Sequence, residues 1–223
     1  MLENKKHIIF DLDGTLIDSA PDLCKSVNLM LTHLGKKRFG LKVVRKWIGN
    51  GARVLVHRAL SGSKEVDLNI DDKIIDDGLE IFFGYYEKNL CVETKLYDGV
   101  KETLEYLYDK HYALSIATNK PHRFVAPILQ GLQIENLFSA TLGGDSLDVK
   151  KPDPKPLIHI CSQTNFTIDE SVMIGDSKND ILAAKNCNMD VIALTYGYNQ
   201  GDDVTIFEPT FIVKKFAKIQ QLL

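Results

Sequence analysis

Asp11 and Asp13 stand one residue apart in "FDLDGTLIDS", at the end of the apolar run "HIIF". In an extended segment that spacing puts both carboxylates on one face of the chain. A buried, unpaired charge is expensive, so the pair must be compensated. Further along, Thr118 and Asn119 close "ALSIATN", Lys151 precedes the prolines of "KKPDPKPL", and Asp176 and Asp180 occupy "GDSKND". Acids, a hydroxyl and a lysine brought into one crevice suit a hard divalent cation and a phosphate, because oxygen ligands select Mg2+ and the cation offsets both charges.

The elements that must position these residues are legible as patterns. "HIIFDLD", "ALSIATN", "SVMIGDS" and "DVIALTYG" have the short, β-branched, apolar look of buried parallel strands, and "FSATLGG" is a weaker fifth. "GVKETLEYLYDK", "PHRFVAPILQGL" and "SKNDILAAKNCN" alternate with them as helices. Strand and helix repeated in this way predict a doubly wound, Rossmann-like α/β sheet, whose ligands bind at the carboxyl ends of the strands. The polar residues collect at those ends. From about Ile17 to Glu93 the rhythm breaks into helical stretches, among them "PDLCKSVNLMLTHLG", "GARVLVHRAL" and "DGLEIFFGYYEKNL". This interval reads as a helical insert, leaving and rejoining the sheet beside the two aspartates, where a lid would sit.

"DLDGT", "ATN", "KKPDP" and "GDSKND" resemble, in order and approximate spacing, the four motifs of haloacid-dehalogenase-type phosphatases. The longer stretches "WIGNGARVLVHRAL" and "GGDSLDVKKPDPKPL" look like the bacterial phosphoglycolate phosphatases in particular. The resemblance implies a catalytic core of residues 1–16 and 94–223 with a helical cap domain of residues 17–93. It implies that Asp11 is the nucleophile, forming an aspartyl-phosphate, and that Asp13 is the general acid and base. Mg2+ is expected on Asp11, the main-chain carbonyl of Asp13, and Asp176. Thr118, the N–H of Asn119 and Lys151 are expected to hold the phosphate, with Asp180 orienting metal waters or Lys151. The substrate carboxylate would then meet the cap at Asn50, Gly51 and Arg53.

The competing readings are a phosphosugar phosphatase or β-phosphoglucomutase-like enzyme on the same core, and a non-catalytic phosphate-binding regulator. The second would be expected to lack Asp11 or Asp13. A net charge of −3 gives no general attraction to nucleic acid or anionic lipid. The apolar run that stops at Phe10 is too short for a signal core or a membrane span, which predicts a cytoplasmic protein; the resemblance implies a small phosphorylated carboxylic acid as substrate, with a monomer or homodimer expected. Cys24, Cys91, Cys161 and Cys187 are widely spaced and read as reduced thiols. Lys150 reads as an ordinary surface lysine, His57 as a packed or surface histidine, and Phe82, Phe83, Tyr85 and Tyr86 as helix core rather than a binding platform.

Overall fold

The computed structural model describes residues 2–223. Its main sheet is parallel and six-stranded, built from β1 (His7–Phe10), β4 (Ala113–Ala117), β5 (Ala140–Leu142), β6 (Ser171–Gly175), β7 (Asp190–Leu194) and β8 (Phe211–Val213). The order is β5-β4-β1-β6-β7-β8. The chain therefore winds outward from β1 through β4 and β5, then returns to β6 on the other side and winds the opposite way. That reversal leaves a crevice at the carboxyl end of β1. The register is level there, with Phe10 opposite both Ile116 and Ile174.

Both faces of the sheet are covered, which is why its central strands read as unbroken apolar runs. Ile8 and Phe10 pack into one core cluster with Val172 and Ile174, whereas Ile9, between them, packs into the other with Met173 and Val191. Helices α5 (Val100–Asp109), α6 (Val125–Gly131), α7 (Lys155–Thr164) and α8 (Lys178–Lys185) complete these layers. A short 3-10 turn, His122–Phe124, intervenes between Pro121 and α6. β8 was not anticipated in the sequence patterns. It is a three-residue edge strand with Ile212 exposed, so it lacks the continuous apolar run that marks a buried strand.

Four helices make up the insert that follows β1: α1 (Ala20–His33), α2 (Leu41–Arg45), α3 (Ala52–Ser61) and α4 (Asp72–Lys88). α1 opens with Pro21 and with Asp22 in its first turn, and α3 ends on left-handed Gly62. α1 and α3 both pack on α4. The outgoing strand β2 (Ile17–Asp18) pairs antiparallel with the returning strand β3 (Lys95–Leu96), so the two connections run side by side. Asp22 is fully buried and accepts from the N–H groups of Val92, Glu93 and Thr94 and from the Thr94 hydroxyl, anchoring the return. No helix among the described residues is long and apolar enough to cross a membrane.

Candidate active site

Asp11 leaves β1 with its N–H bonded to the Ile174 carbonyl and its side chain buried. Leu12 turns into the core, and Asp13 faces the same cavity as Asp11. Lys151 reaches this point from the loop before α7, its Nζ 3.0 Å from Asp11 Oδ1 and 2.6 Å from Asp180 Oδ1. Asp180 is the N3 residue of a capping box on α8. Its Oδ2 accepts from the Ser177 N–H and hydroxyl. Asp180 is therefore held by the Lys151 ammonium on one oxygen and by Ser177 on the other, an arrangement that suits orienting Lys151.

Asp176 follows β6. Its Oδ1 accepts from Thr15 Oγ1 at 2.8 Å and its Oδ2 from the Tyr198 N–H at 2.7 Å. Gly14 makes this approach possible: it sits at φ +93°, and a Cβ there would collide with the Asp176 carboxylate. The ligand atoms of Asp11, Asp176 and Asp180 all fall within 4.8 Å of one another, with Lys151 as their one ion-pair partner among the described residues. Burial pushes Asp176 up to about 8, reinforced by the Asp180 and Asp11 charges. Burial likewise raises Asp11 to about 6 against the pull of Lys151. Asp11 Oδ1 makes no hydrogen bond even though Lys151 is near. Three buried acids that share a single cation, Lys151, fit a divalent metal ion.

Thr118 and Asn119 follow β4 and line the same cavity as Asp11. The Asn119 amide crosses to the insert, donating to the Gly49 carbonyl at 3.1 Å, and Asn179 donates to the same carbonyl at 3.1 Å. Lys150 is half-buried and is not the ordinary surface lysine expected: its Nζ donates to the Asn50 carbonyl at 2.9 Å. Gly51, at φ +88°, also lines the cavity, and a Cβ there would crowd Lys150 Nζ and the Asn119 carbonyl.

The other two residues expected on the cap face elsewhere. The Asn50 side chain accepts from Arg58 and Gln200. Arg53 is exposed and paired with Asp72 at 2.8 Å and Asp76 at 3.0 Å, on the flank of α3 that meets α4. The cation that does line the cavity is Lys120, one residue beyond the quoted "ATN". Its side chain is 2% exposed and its Nζ lies 3.0 Å from each oxygen of Asp13. Burial lowers its basicity, but the Asp13 carboxylate more than offsets this, so the ammonium persists. Ser19, also unanticipated, donates to Asp13 Oδ1. Phe82 and Tyr86 are buried as expected of helix core, yet with Phe83 they also form a wall of the cavity.

Residues 8–194 match the family model described as haloacid dehalogenase-like hydrolase. Curated relatives include a phosphoglycolate phosphatase of Colwellia psychrerythraea, 48% identical over 98% of this chain and 96% of that protein. Another, from Haemophilus influenzae, is 43% identical over 98% of each chain. Among solved structures, a predicted phosphoglycolate phosphatase of Haemophilus somnus superposes with a TM-score of 0.92 at 39% identity, covering 100% of this chain and 99% of that one. With the motif residues converging at the carboxyl end of β1, this chain belongs to the haloacid dehalogenase-like hydrolases.

Proposed function

We propose that this protein is a Mg2+-dependent phosphomonoesterase whose substrate is 2-phosphoglycolate, released as glycolate and phosphate. The observation that carries the reading is a small cavity of about 40 Å³ with Asp11 and Asp13 together in its lining. That is room for roughly three waters, and it matches a leaving group of a few atoms better than a sugar ring. The full-length relatives named for this activity support the same substrate.

An Asp11 carboxylate oxygen attacks phosphorus in line, and the bond from phosphorus to the ester oxygen breaks as the aspartyl-phosphate forms. Asp13 gives the departing alkoxide its proton. It then takes a proton from the water that attacks the aspartyl-phosphate, freeing phosphate and restoring Asp11. Thr118, the Asn119 N–H and Lys151 hold the phosphoryl oxygens, and Lys151 adds fixed positive charge. Asp11, Asp176 and the Asp13 carbonyl would hold Mg2+, which neutralises carboxylate and phosphate charge during their approach. Residues 17–93 serve as a cap that closes over the reacting groups and excludes bulk water, docked through Gly49 and Asn50 on Asn119, Asn179 and Lys150.

The test is phosphate release from a panel of small phosphate esters, with Mg2+ and with chelator. The expected result is the highest kcat/KM on 2-phosphoglycolate and none without metal. A preference for phosphosugars would move the assignment to the phosphosugar phosphatases, and no hydrolysis of any ester would support a binding protein instead.

A further inference from the structure

Leu55, Phe82, Phe83 and Phe124 line the cavity around Asp11 and Asp13, and the side chains of Lys120 and Tyr86 stand among them. Lys120 is the only cation lining the cavity among the described residues. Its ammonium rests 4.9 Å from the centre of the Tyr86 ring and touches both oxygens of Asp13. The Tyr86 hydroxyl is buried and makes no hydrogen bond. A lone hydroxyl in an apolar wall is costly unless a partner arrives. An ammonium has three donors, so Lys120 can keep Asp13 and still serve another acceptor.

We propose that Lys120 and Tyr86 together recognise a carboxylate on the leaving group of the substrate, and that this pair, not the cap arginine, selects acidic phosphate esters. The inference rests on the reading of Asp11 and Asp13 as the groups that handle the phosphate ester. If Asp13 faces the ester oxygen, Lys120, in contact with Asp13, lies within a few bonds of it. A carboxylate on the adjacent carbon reaches the ammonium, whereas one at the end of a longer chain meets the aromatic wall. The surrounding low-polarity walls strengthen a charged hydrogen bond and penalise an anionic ester that fails to make one.

The experiment compares kcat/KM for 2-phosphoglycolate with that for 2-hydroxyethyl phosphate, which has the same chain with a hydroxymethyl group in place of the carboxylate. Lys120→Gln keeps a donor for Asp13 while removing the charge, and Tyr86→Phe deletes only the unpaired hydroxyl. The acid-to-neutral ratio is expected to fall about 30-fold or more in Lys120→Gln and about fivefold in Tyr86→Phe, mainly through KM for the acid. The Tyr86→Phe protein should melt at the wild-type temperature or above it, because the lost hydroxyl had no partner. Equal losses on both esters in Lys120→Gln would make the lysine a holder of Asp13 and overturn the proposal. So would a wild-type enzyme indifferent to the carboxylate. If the wild type instead prefers 2-phospholactate, and Lys120→Gln erases that preference, the phosphoglycolate assignment fails and the recognition pair stands; a preference for 3-phosphoglycerate, whose carboxylate is one carbon further away, would overturn the pair as well.

Discussion

Lys151 holds its ammonium 3.0 Å from Asp11 Oδ1, with the lysine side chain 2% exposed and the aspartate 12%. Loss of Lys151 would leave Asp11 without a cation, whereas loss of the Asp11 charge leaves Lys151 paired with Asp180. Asp11→Asn is expected to abolish phosphate release while the chain stays folded, because an amide cannot attack phosphorus. The same change removes one of the crowded acids, so the metal-free variant should melt above the metal-free wild type near pH 8. Phosphate release together with thermal melts in chelator checks both halves, and residual turnover close to wild type would refute the covalent mechanism.

The adjacent lysines should separate cleanly. Lys151→Ala leaves Asp11 and Asp180 without their buried cation, and breaking such a pair costs about 3–5 kcal/mol of stability. Its rate should fall on the order of 10²-fold or more. Lys150→Ala loses one hydrogen bond between loop and insert, that to the Asn50 carbonyl, and should change kcat/KM by less than about tenfold. Denaturant melts and steady-state kinetics on the two variants decide, and the reverse ranking would mean that Lys150 is the motif lysine.

Metal and pH should be linked through Asp176. Its pKa is pushed up to about 8 in the folded, metal-free protein by burial and by Asp180 and Asp11, against an ordinary value of 3.8. Between those values the folded state binds the extra proton, so this contribution to stability is complete below about pH 4 and is lost as pH rises through about 8. His7, lowered by burial to about 4, gives the opposite slope but only below its ordinary value of 6.5. Melts in chelator should therefore fall from pH 6.5 to 8.5, and added Mg2+ should flatten that fall. Calorimetry in buffers of different ionisation enthalpy should register about one proton released per Mg2+ bound at pH 7. Absence of both effects would remove Asp176 from the metal site.

Arg53 is expected to be dispensable. Its partners Asp72 and Asp76 are exposed surface acids, and pairs of this kind contribute about 0–1 kcal/mol. Arg53→Ala should leave kcat/KM within about twofold on acidic and neutral esters alike, since the guanidinium does not line the cavity. A selective loss on 2-phosphoglycolate would show that Arg53 swings inward when substrate binds.

Asp11, Asp13, Thr118, Asn119 and Asp176 were legible in the chain because each lies within three residues of the end of a buried strand, and parallel strands in level register deliver their carboxyl ends to one edge. The insert was legible for the complementary reason, since helical periodicity replaced strand patterns for some seventy residues. What tertiary structure alone decided is which side chains meet. Lys120 finds Asp13 across 107 positions of sequence, and Asn119 finds Gly49 across 70. Tyr86 reads as core because it is core, and only tertiary packing sets it beside Phe124 and Lys120 in the lining of the cavity. Arg53 shows the converse: proximity to a helix start suggested a ligand, but α4 runs alongside with Asp72 and Asp76. A short local motif sets what a residue can do. Its partner is set by packing between distant segments, which sequence spacing does not encode.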